Sequence, residues 1–392
     1  MAKRIFLHVA TTKTGTTFLQ RVLWAHRDQL LAQHVLLPGA GVGDHFKASV
    51  DVREEPHRVV DPTTATGAWS RLVDDMAAWE GDALVSHELF ASATADQAGR
   101  AIAMLDRAEV HVIVTARDLA RQIPAEWQEH LKHRSVLTFP EFVHSVRTDE
   151  RGPFSPNGYH FWHAQDLSGV FGRWRADLPS ERLHVVTVPR PGAESDGLWK
   201  RFTGLVGIDG ATFDLGKGRS NSSVGAEQAE LLRLLNSRLG SRLPLPGPYP
   251  ELVKALLAHQ LLAERPGTRF GLVGADREFA VERAKAMVVD LERLQVDVVG
   301  DLLDLVPDAQ GEDVSGDAHV SRDAVLDEAV EALAGVLERF WSERTRRQRL
   351  RRELDEARTW VKELQSQLQQ AESGLSGKAV RLARKAARRP SD

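Results

Sequence analysis

The sequence of 392 residues contains no cysteine. Thiol catalysis, disulfide bonds, cysteine-ligated zinc and iron–sulfur clusters are therefore excluded for this chain. It also lacks any apolar run near the 18 residues that a membrane-spanning helix requires. With 42% hydrophobic and 27% charged residues, the composition is typical of a soluble globular protein that can bury its own core. We therefore expect a cytoplasmic protein.

A formal net charge of −4 conceals a strong division along the chain. Residues 339–392 contain 15 basic and 7 acidic side chains, a net +8, which leaves −12 for residues 1–338. An acidic body is thus followed by a basic C-terminal segment. Such a division indicates two regions with separate roles.

Short apolar runs alternate with amphipathic stretches through the first half of the chain. Because buried parallel strands and crossover helices alternate in this way, we predict an α/β fold with a parallel sheet flanked by helices. The predicted strands are Ile5–Val9, Val35–Leu37, Ala83–Ser86, Val110–Thr115 and Leu183–Val188, and the helices between them include 17–31, 96–107, 119–131 and 167–177. Beyond about residue 224 the pattern predicts helices alone, at 226–239, 250–262 and 276–294.

The predicted domain organisation is an α/β domain over 1–307, a linker over 308–322, a long helix over 323–373 and a basic tail over 374–392. A heptad pattern in the helix comprises Leu350, Leu354, Ala357, Val361, Leu364, Leu368 and Ala371, although Arg347 interrupts it. Two interpretations stay open: a coiled coil that joins two copies as a homodimer, and a solvated arm. For the tail, the alternatives are solvation, an acidic partner subunit and peripheral contact with an anionic membrane surface; we expect no specific nucleic-acid partner.

Residues 4–20, RIFLHVATTKTGTTFLQ, predict a strand, a turn and a helix that begins near Thr16. Unpaired N–H groups at a helix start favour anions, and glycine at position 15 allows close approach of the backbone. Lys13 adds a full positive charge, and the neighbouring threonines add hydroxyl donors. This segment therefore predicts a site for a phosphate or sulfate ester. The alternative is that the threonines only cap the helix and the lysine is solvated.

The phosphate-loop pattern G-x-x-x-x-G-K-[ST] is absent, because here the lysine precedes the glycine by two positions. The segment instead resembles the 5′-phosphosulfate loop of sulfotransferases, whose pattern is close to P-K-[ST]-G-T-T. The matching residues are Lys13, Thr14, Gly15, Thr16, Thr17, Phe18, Leu19 and Gln20, while Thr12 replaces the usual proline. The resemblance implies 3′-phosphoadenosine 5′-phosphosulfate as sulfuryl donor, held by residues 13–17 and requiring no metal.

A second stretch, ARDLARQIPAEWQEHL, follows the strand 110–115. It resembles the motif in which sulfotransferases hold the 3′-phosphate with an arginine and a serine eight residues later. Arg117 matches the arginine, whereas Ala125 occupies the serine position. The resemblance implies a nucleotide contact for Arg117 and leaves one phosphate contact to be supplied elsewhere. A structural ion pair involving Arg117 is the alternative.

Two further segments complete the candidate site. His87 and Glu88 end the strand 83–86, where a base could take a proton from an acceptor; we favour Glu88, with His87 second. The alternative for Glu88 is a role at the start of the next helix. Lys217, Gly218 and Arg219 resemble the Lys-Gly-Arg loop that closes over the nucleotide in glycan sulfotransferases, and a helix-capping segment is the alternative.

Together these features predict a sulfotransferase that acts on a hydroxyl or amine of a small molecule or carbohydrate. Two alternatives stay open. The first is a divergent nucleotide-dependent kinase, which would need Mg²⁺ and a carboxylate such as Asp118 to hold it. The second is a nucleotide-binding protein that has lost activity and acts through its C-terminal helix.

Overall fold

A computed structural model describes residues 2–54, 62–148, 161–218, 224–245, 247–308 and 320–386. The chain divides into two units, residues 1–329 and 330–392. The first unit holds the sheet and the candidate site. The second consists, in its described part, of the greater length of one helix, Arg322–Ala386, which begins in the first unit.

The described residues of the first unit form a six-stranded sheet in the order β2-β3-β1-β4-β5-β6, with every neighbouring pair parallel. The predicted α/β class is confirmed, and the five predicted strands lie within two residues of their observed bounds. The strands are β1 (Arg4–His8), β2 (Val35–Leu36), β3 (Asp82–Ser86), β4 (Glu109–Ala116), β5 (Leu183–Thr187) and β6 (Asp297–Val299).

Helices flank this sheet. The α-helices of the described residues are α1 (Thr16–Ala25), α2 (Arg27–Ala32), α3 (Val42–Arg53), α4 (Pro62–Ala65), α5 (Ala68–Ala77), α6 (Ala95–Ala103), α7 (Leu119–Lys132), α8 (Phe139–Thr148), α9 (Phe161–Gln165), α10 (Leu167–Trp174), α11 (Gly197–Val206), α12 (Ala226–Leu239), α13 (Gly274–Leu294) and α14 (Arg322–Ala386). Shorter turns of 3₁₀-helix occupy Glu88–Ser92, Ser180–Arg182, Gly210–Thr212, Leu215–Gly218 and Leu302–Leu305, and a π-helix occupies Pro250–Leu262. Across the described ranges, no helix is long and apolar enough to cross a membrane.

The core forms where the central strands meet the helices beside them. Phe6 on β1 and Ile113 on β4 are buried against Leu19 and Leu23 of α1 and Phe202 of α11. Side chains of this size stabilise the fold by about 1.5–3 kcal/mol each when fully buried. The strand that leads into residues 9–15 and the helix that follows them are therefore both anchored in one core.

Several elements differ from the sequence prediction. The long helix predicted over 323–373 continues to Ala386, through part of the predicted basic tail, and the helix predicted over 96–107 ends at Ala103. The helix predicted over 17–31 is interrupted at His26, whose imidazole bonds the Val22 carbonyl (2.8 Å) and accepts the Asp214 N–H (3.2 Å). The helix predicted over 250–262 is a π-helix, which apolar spacing alone does not distinguish from an α-helix. The edge strand β6 was not predicted, because its three residues are mostly exposed and too few to show a period.

The order of the strands determines where a ligand can bind. From β1 the chain moves to β2 and β3 on one side, then crosses to β4 on the other side. In open parallel sheets, ligands bind beyond the carboxyl ends of the strands where the direction of winding changes. That position lies beyond β1, between the ends of β3 and β4, and the three predicted motifs at residues 13–17, 87–88 and 117 follow these three strands.

Gly15 makes the turn between β1 and α1 possible. Its φ of +89° lies in the left-handed region, and it is the residue that precedes α1. A Cβ placed there would lie 2.4 Å from Cδ2 of Leu198. The Leu198 methyl could rotate away, but the left-handed backbone would still cost a residue with a side chain about 1–2 kcal/mol.

We predict that Gly15→Ala lowers the free energy of unfolding by about 1–3 kcal/mol, because both the backbone and Leu198 must adjust. Gly99→Ala is the matched control, since Gly99 lies within α6 and has open space where a Cβ would stand. That change should leave stability unaltered or raise it by up to about 1 kcal/mol. Urea denaturation of both variants tests this, and equal stabilities would contradict the role assigned to Gly15.

Candidate functional site

Residues 9–15, which we call the anion loop, connect β1 to α1 and include residues with a left-handed backbone. Lys13 and Gly15 both have positive φ, at 62° and 89°. Among the hydrogen bonds of the described residues, none is donated by a backbone N–H between residues 13 and 18. Successive N–H groups of this kind, placed at a helix start, form a concave binding site for an anion.

A buried chain of hydrogen bonds connects the anion loop to strands β1, β3 and β4. The imidazole of His8 bonds Ser86 Oγ (2.8 Å) on β3 and Thr115 Oγ1 (3.1 Å) on β4, and Thr115 Oγ1 bonds Thr14 Oγ1 (2.7 Å). Burial lowers the pKa of His8 to about 3, so the ring is neutral. Because the Thr14 hydroxyl also donates to the Thr11 carbonyl (2.7 Å), this side chain supports the loop, while the Thr14 backbone N–H has no partner among the described residues.

Lys13, the predicted cation of the site, forms an ion pair with Glu129 on α7. Glu129 also accepts from Lys254 Nζ (2.7 Å) and bonds His133 Nε2 (3.1 Å), with Lys132 Nζ at 3.7 Å. Burial would raise the pKa of Glu129, but these cations hold it well below its usual range. The pKa of Lys13 is raised despite burial, chiefly through Glu129. The local charge of this group is therefore positive.

Glu126, one turn before Glu129 on α7, has a different environment. Its side chain is 2% exposed, and Oε1 accepts from Thr12 Oγ1 in the anion loop and from Gln165 Nε2 (3.0 Å). Gln122 on the same helix donates to the Thr12 carbonyl. Burial raises the pKa of Glu126 to about 7. The pKa values of the two acids on one helix face are thus shifted in opposite directions.

The end of β3 places His87 and Glu88 beside the anion loop. His87 Nδ1 accepts the Leu89 N–H (3.2 Å) and so caps the short 3₁₀ turn, while its ring stacks on Phe46. Burial lowers the pKa of His87. Glu88 begins the turn, and its Oε2 is buried with no hydrogen-bond partner among the described residues. The charge of Glu88 also raises the pKa of Lys13, although less than Glu129 and Glu126 of α7 do. Glu88 and Lys13 are therefore close enough to interact electrostatically.

Arg117 follows β4, as predicted. Its Nε donates to Gln122 Oε1 (3.2 Å) and its Nη2 to the Arg121 carbonyl (3.0 Å). Burial, together with the charge of Arg121, lowers its pKa to about 10, so it remains a cation at neutral pH. Arg117, Arg121 and Ala125 line one cavity of about 560 Å³. The arginine and the alanine of the second motif therefore face the same space.

Asp118, the carboxylate that a magnesium-dependent kinase would require, has other partners. It accepts the backbone N–H of Arg121 (3.0 Å) as the cap of α7, and it pairs with the Arg121 side chain. No group of three or more potential metal ligands occurs in the part of the chain that the structure describes.

The remaining predicted residues lie in the connection before α12. Lys217 and Gly218 end the 3₁₀ turn Leu215–Gly218, which packs against α1. Arg219 lies outside the described residues. The turn is thus close to the helix that begins at the anion loop.

Sequence reasoning missed the acids of α7. Gln122, Glu126 and Glu129 recur at spacings of four and three, the signature of one helix face, and all three contact the anion loop or its partners. The available signal was this row of polar residues on one face of a helix that lies between two buried segments. Gln165 on α9, which joins this group, carried no such pattern.

Comparisons with known proteins add little to this geometry. No protein-family model matches the chain, and a search of curated proteins finds no match. A search of solved structures finds the crystal structure of a sulfotransferase from Alicyclobacillus acidocaldarius, which is 19% identical, with a TM-score of 0.37. The match covers 55% of this chain and 85% of that chain. A likeness of this strength assigns no activity to the chain.

We predict that Glu129→Gln lowers the free energy of unfolding by about 1–3 kcal/mol at pH 7, because Lys13, Lys132 and Lys254 lose their shared counter-ion. The pKa of Glu129 is depressed, so its contribution is complete above the ordinary carboxylate range and is lost as the pH falls below it. The difference between variant and wild type should therefore shrink below about pH 4.5.

Glu126→Gln is the control for this measurement. It lies on the same helix, but its carboxyl forms no ion pair among the described residues, and burial already disfavours its ionised form, so replacement by a neutral amide removes less than at Glu129. Denaturant unfolding at several pH values should show it to be about as stable as wild type. Equal losses in the two variants would refute the distinction drawn between the two acids.

Proposed function

We propose that the protein is a sulfotransferase that moves a sulfuryl group from 3′-phosphoadenosine 5′-phosphosulfate to a hydroxyl or amine. The observation that carries the proposal is the anion loop. Residues 13–18 leave their backbone N–H groups unpaired at the switch point of the sheet, in the segment that resembles the 5′-phosphosulfate loop. Glu88 and Arg117 stand at the ends of the two adjacent strands, where a base and a second phosphate contact are required.

In the proposed reaction, Glu88 accepts the proton of the acceptor hydroxyl or amine. The acceptor atom attacks sulfur, and the bond between sulfur and the bridging oxygen breaks with its electron pair passing to the nucleotide phosphate. Lys13 and the N–H groups at the start of α1 stabilise the negative charge that grows on this oxygen. A proton acceptor that is buried without a partner, such as Glu88 Oε2, is suited to the first step.

His87 is less suited to be the base. Its Nδ1 is already engaged by the Leu89 N–H, and its ring is held against Phe46. Glu88 Oε2, by contrast, has no hydrogen-bond partner among the described residues. These contacts support the assignment of Glu88 as base and of His87 as the residue that fixes the turn.

The role of Lys13 includes a change of partner. In the structure its ammonium group pairs with Glu129, and Lys254 and His133 also bond that carboxylate. Because Lys254 and Lys132 can continue to neutralise Glu129, Lys13 can turn to an anion without leaving a buried carboxylate unpaired. The acceptor belongs to the class of hydroxyl or amine compounds, either small molecules or carbohydrates.

We predict that Lys13→Ala weakens binding of the product nucleotide, 3′-phosphoadenosine 5′-phosphate, at least tenfold and slows transfer at least about 100-fold. Lys285→Ala is the matched control, since Lys285 is an exposed lysine of α13 that pairs only within its helix. Calorimetry measures binding, and transfer of labelled sulfate to a panel of phenols, amines and sugars measures activity. The proposal fails if wild type binds no nucleotide, or if it instead turns over ATP with Mg²⁺.

For the base, we predict that Glu88→Gln lowers kcat about 10²–10⁴-fold while nucleotide affinity stays within a few fold of wild type. His87→Asn keeps a side-chain acceptor that can cap the turn, so it should retain most of the activity. Steady-state kinetics of both variants with one acceptor decides the question. A large loss in His87→Asn with an active Glu88→Gln would exchange the two roles.

A further inference from the structure

The anion loop contacts a carboxyl group, which is unexpected for a site that must hold a phosphate or sulfate ester. Glu126 Oε1 accepts the hydroxyl of Thr12, the residue directly before Lys13. The same oxygen accepts Gln165 Nε2 from α9 (3.0 Å) and, more weakly, Gln122 Nε2 (3.4 Å). Glu126 therefore positions Thr12 and, through it, the start of the loop.

No cation of the described residues forms an ion pair with this carboxyl. Within the described ranges, no lysine, arginine or histidine nitrogen lies within 4.0 Å of Glu126, although its side chain is only 2% exposed. An isolated buried carboxylate is costly, and the usual response is to bind a proton.

The groups that face Glu126 come from each of the elements packed against it. Lys13 of the anion loop and Arg117 after β4 favour its ionised form, and Glu129 on its own helix opposes it. Thr12 supplies a hydrogen bond that also favours ionisation, and α9 supplies the uncharged Gln165. Burial outweighs the favourable contacts and raises the pKa of Glu126 to about 7.

An anion bound to the loop would shift the ionisation of Glu126 toward its neutral form. The N–H groups that would hold it follow Thr12 directly, so its negative charge would lie near the carboxyl and disfavour the ionised form further. It would also draw on Lys13, one of the two cations that favour ionisation. Both effects make the neutral acid the stable form in the complex.

We propose that Glu126 is a positioning residue that takes up one proton from solvent when the anionic nucleotide binds to the loop. This inference rests on the proposed function. Since the neutral form of Glu126 binds the nucleotide better, affinity is greatest below about pH 7 and falls as the pH rises through that value. Loop geometry and donor affinity are thereby linked to pH through one side chain.

The test is calorimetric titration with 3′-phosphoadenosine 5′-phosphate at pH 6 and pH 8, each in two buffers of different ionisation enthalpy. The phosphates of the nucleotide also titrate near this range, so the quantity of interest is the difference between wild type and Glu126→Gln. At pH 8 wild type should take up close to one proton more than the variant, and at pH 6 the two should agree. Between pH 6 and pH 8 the affinity of wild type should fall about tenfold more than that of Glu126→Gln.

Glu129→Gln is the matched control, an identical substitution three positions along the same helix. Because the pKa of Glu129 is well below this range, Glu129 itself binds no proton here, and the proton uptake at pH 8 should persist in Glu129→Gln. Equal proton uptake in wild type and Glu126→Gln at pH 8, with tight binding by both, overturns this inference and leaves the sulfotransferase proposal intact. Absence of nucleotide binding by wild type overturns both.

Discussion

The backbone of the anion loop imposes the constraint on which the rest of the site depends. The N–H groups of residues 13–18, at the start of α1, have no partners among the described residues, and an N–H group without a hydrogen bond is costly where it is buried. The structure keeps them in place with the left-handed Gly15 and with the hydrogen-bonded chain from Ser86 through His8 and Thr115 to Thr14. Three neighbouring strands thus support the backbone of one loop.

Helix α7 sets the electrostatics around this loop. Glu129 is surrounded by cations and stays ionised, whereas Glu126, one turn away, is buried among uncharged donors and holds its proton more strongly. Lys13 forms an ion pair with Glu129, and the charge of Glu126 also raises the pKa of Lys13. Residues 1–338 carry a net charge of −12, which does not favour an anionic ligand. Affinity for such a ligand would therefore have to come from local groups such as Lys13.

Much of the fold was predictable because buried parallel strands are short apolar runs with helices between them. Five strands and the position of α1 and α7 follow from that pattern. The break at His26 was not predictable, because it depends on Asp214, a residue 188 positions away. The strand β6 was not predicted, because its three residues are mostly exposed and too few to show an alternating pattern. Its pairing with β5 is what defines it as a strand.

The sequence by itself determined the turn between β1 and α1, since a left-handed glycine and a helix start are local properties that fit within residues 9–17. It also determined that Glu88 and Arg117 would stand nearby, because parallel strands bring their carboxyl ends to one edge. Only the tertiary structure decided the charge state of the site. Burial and charge pairing depend on distance in space, and the contacts of Thr12 and Lys13 with α7 join residues more than 100 positions apart in the chain.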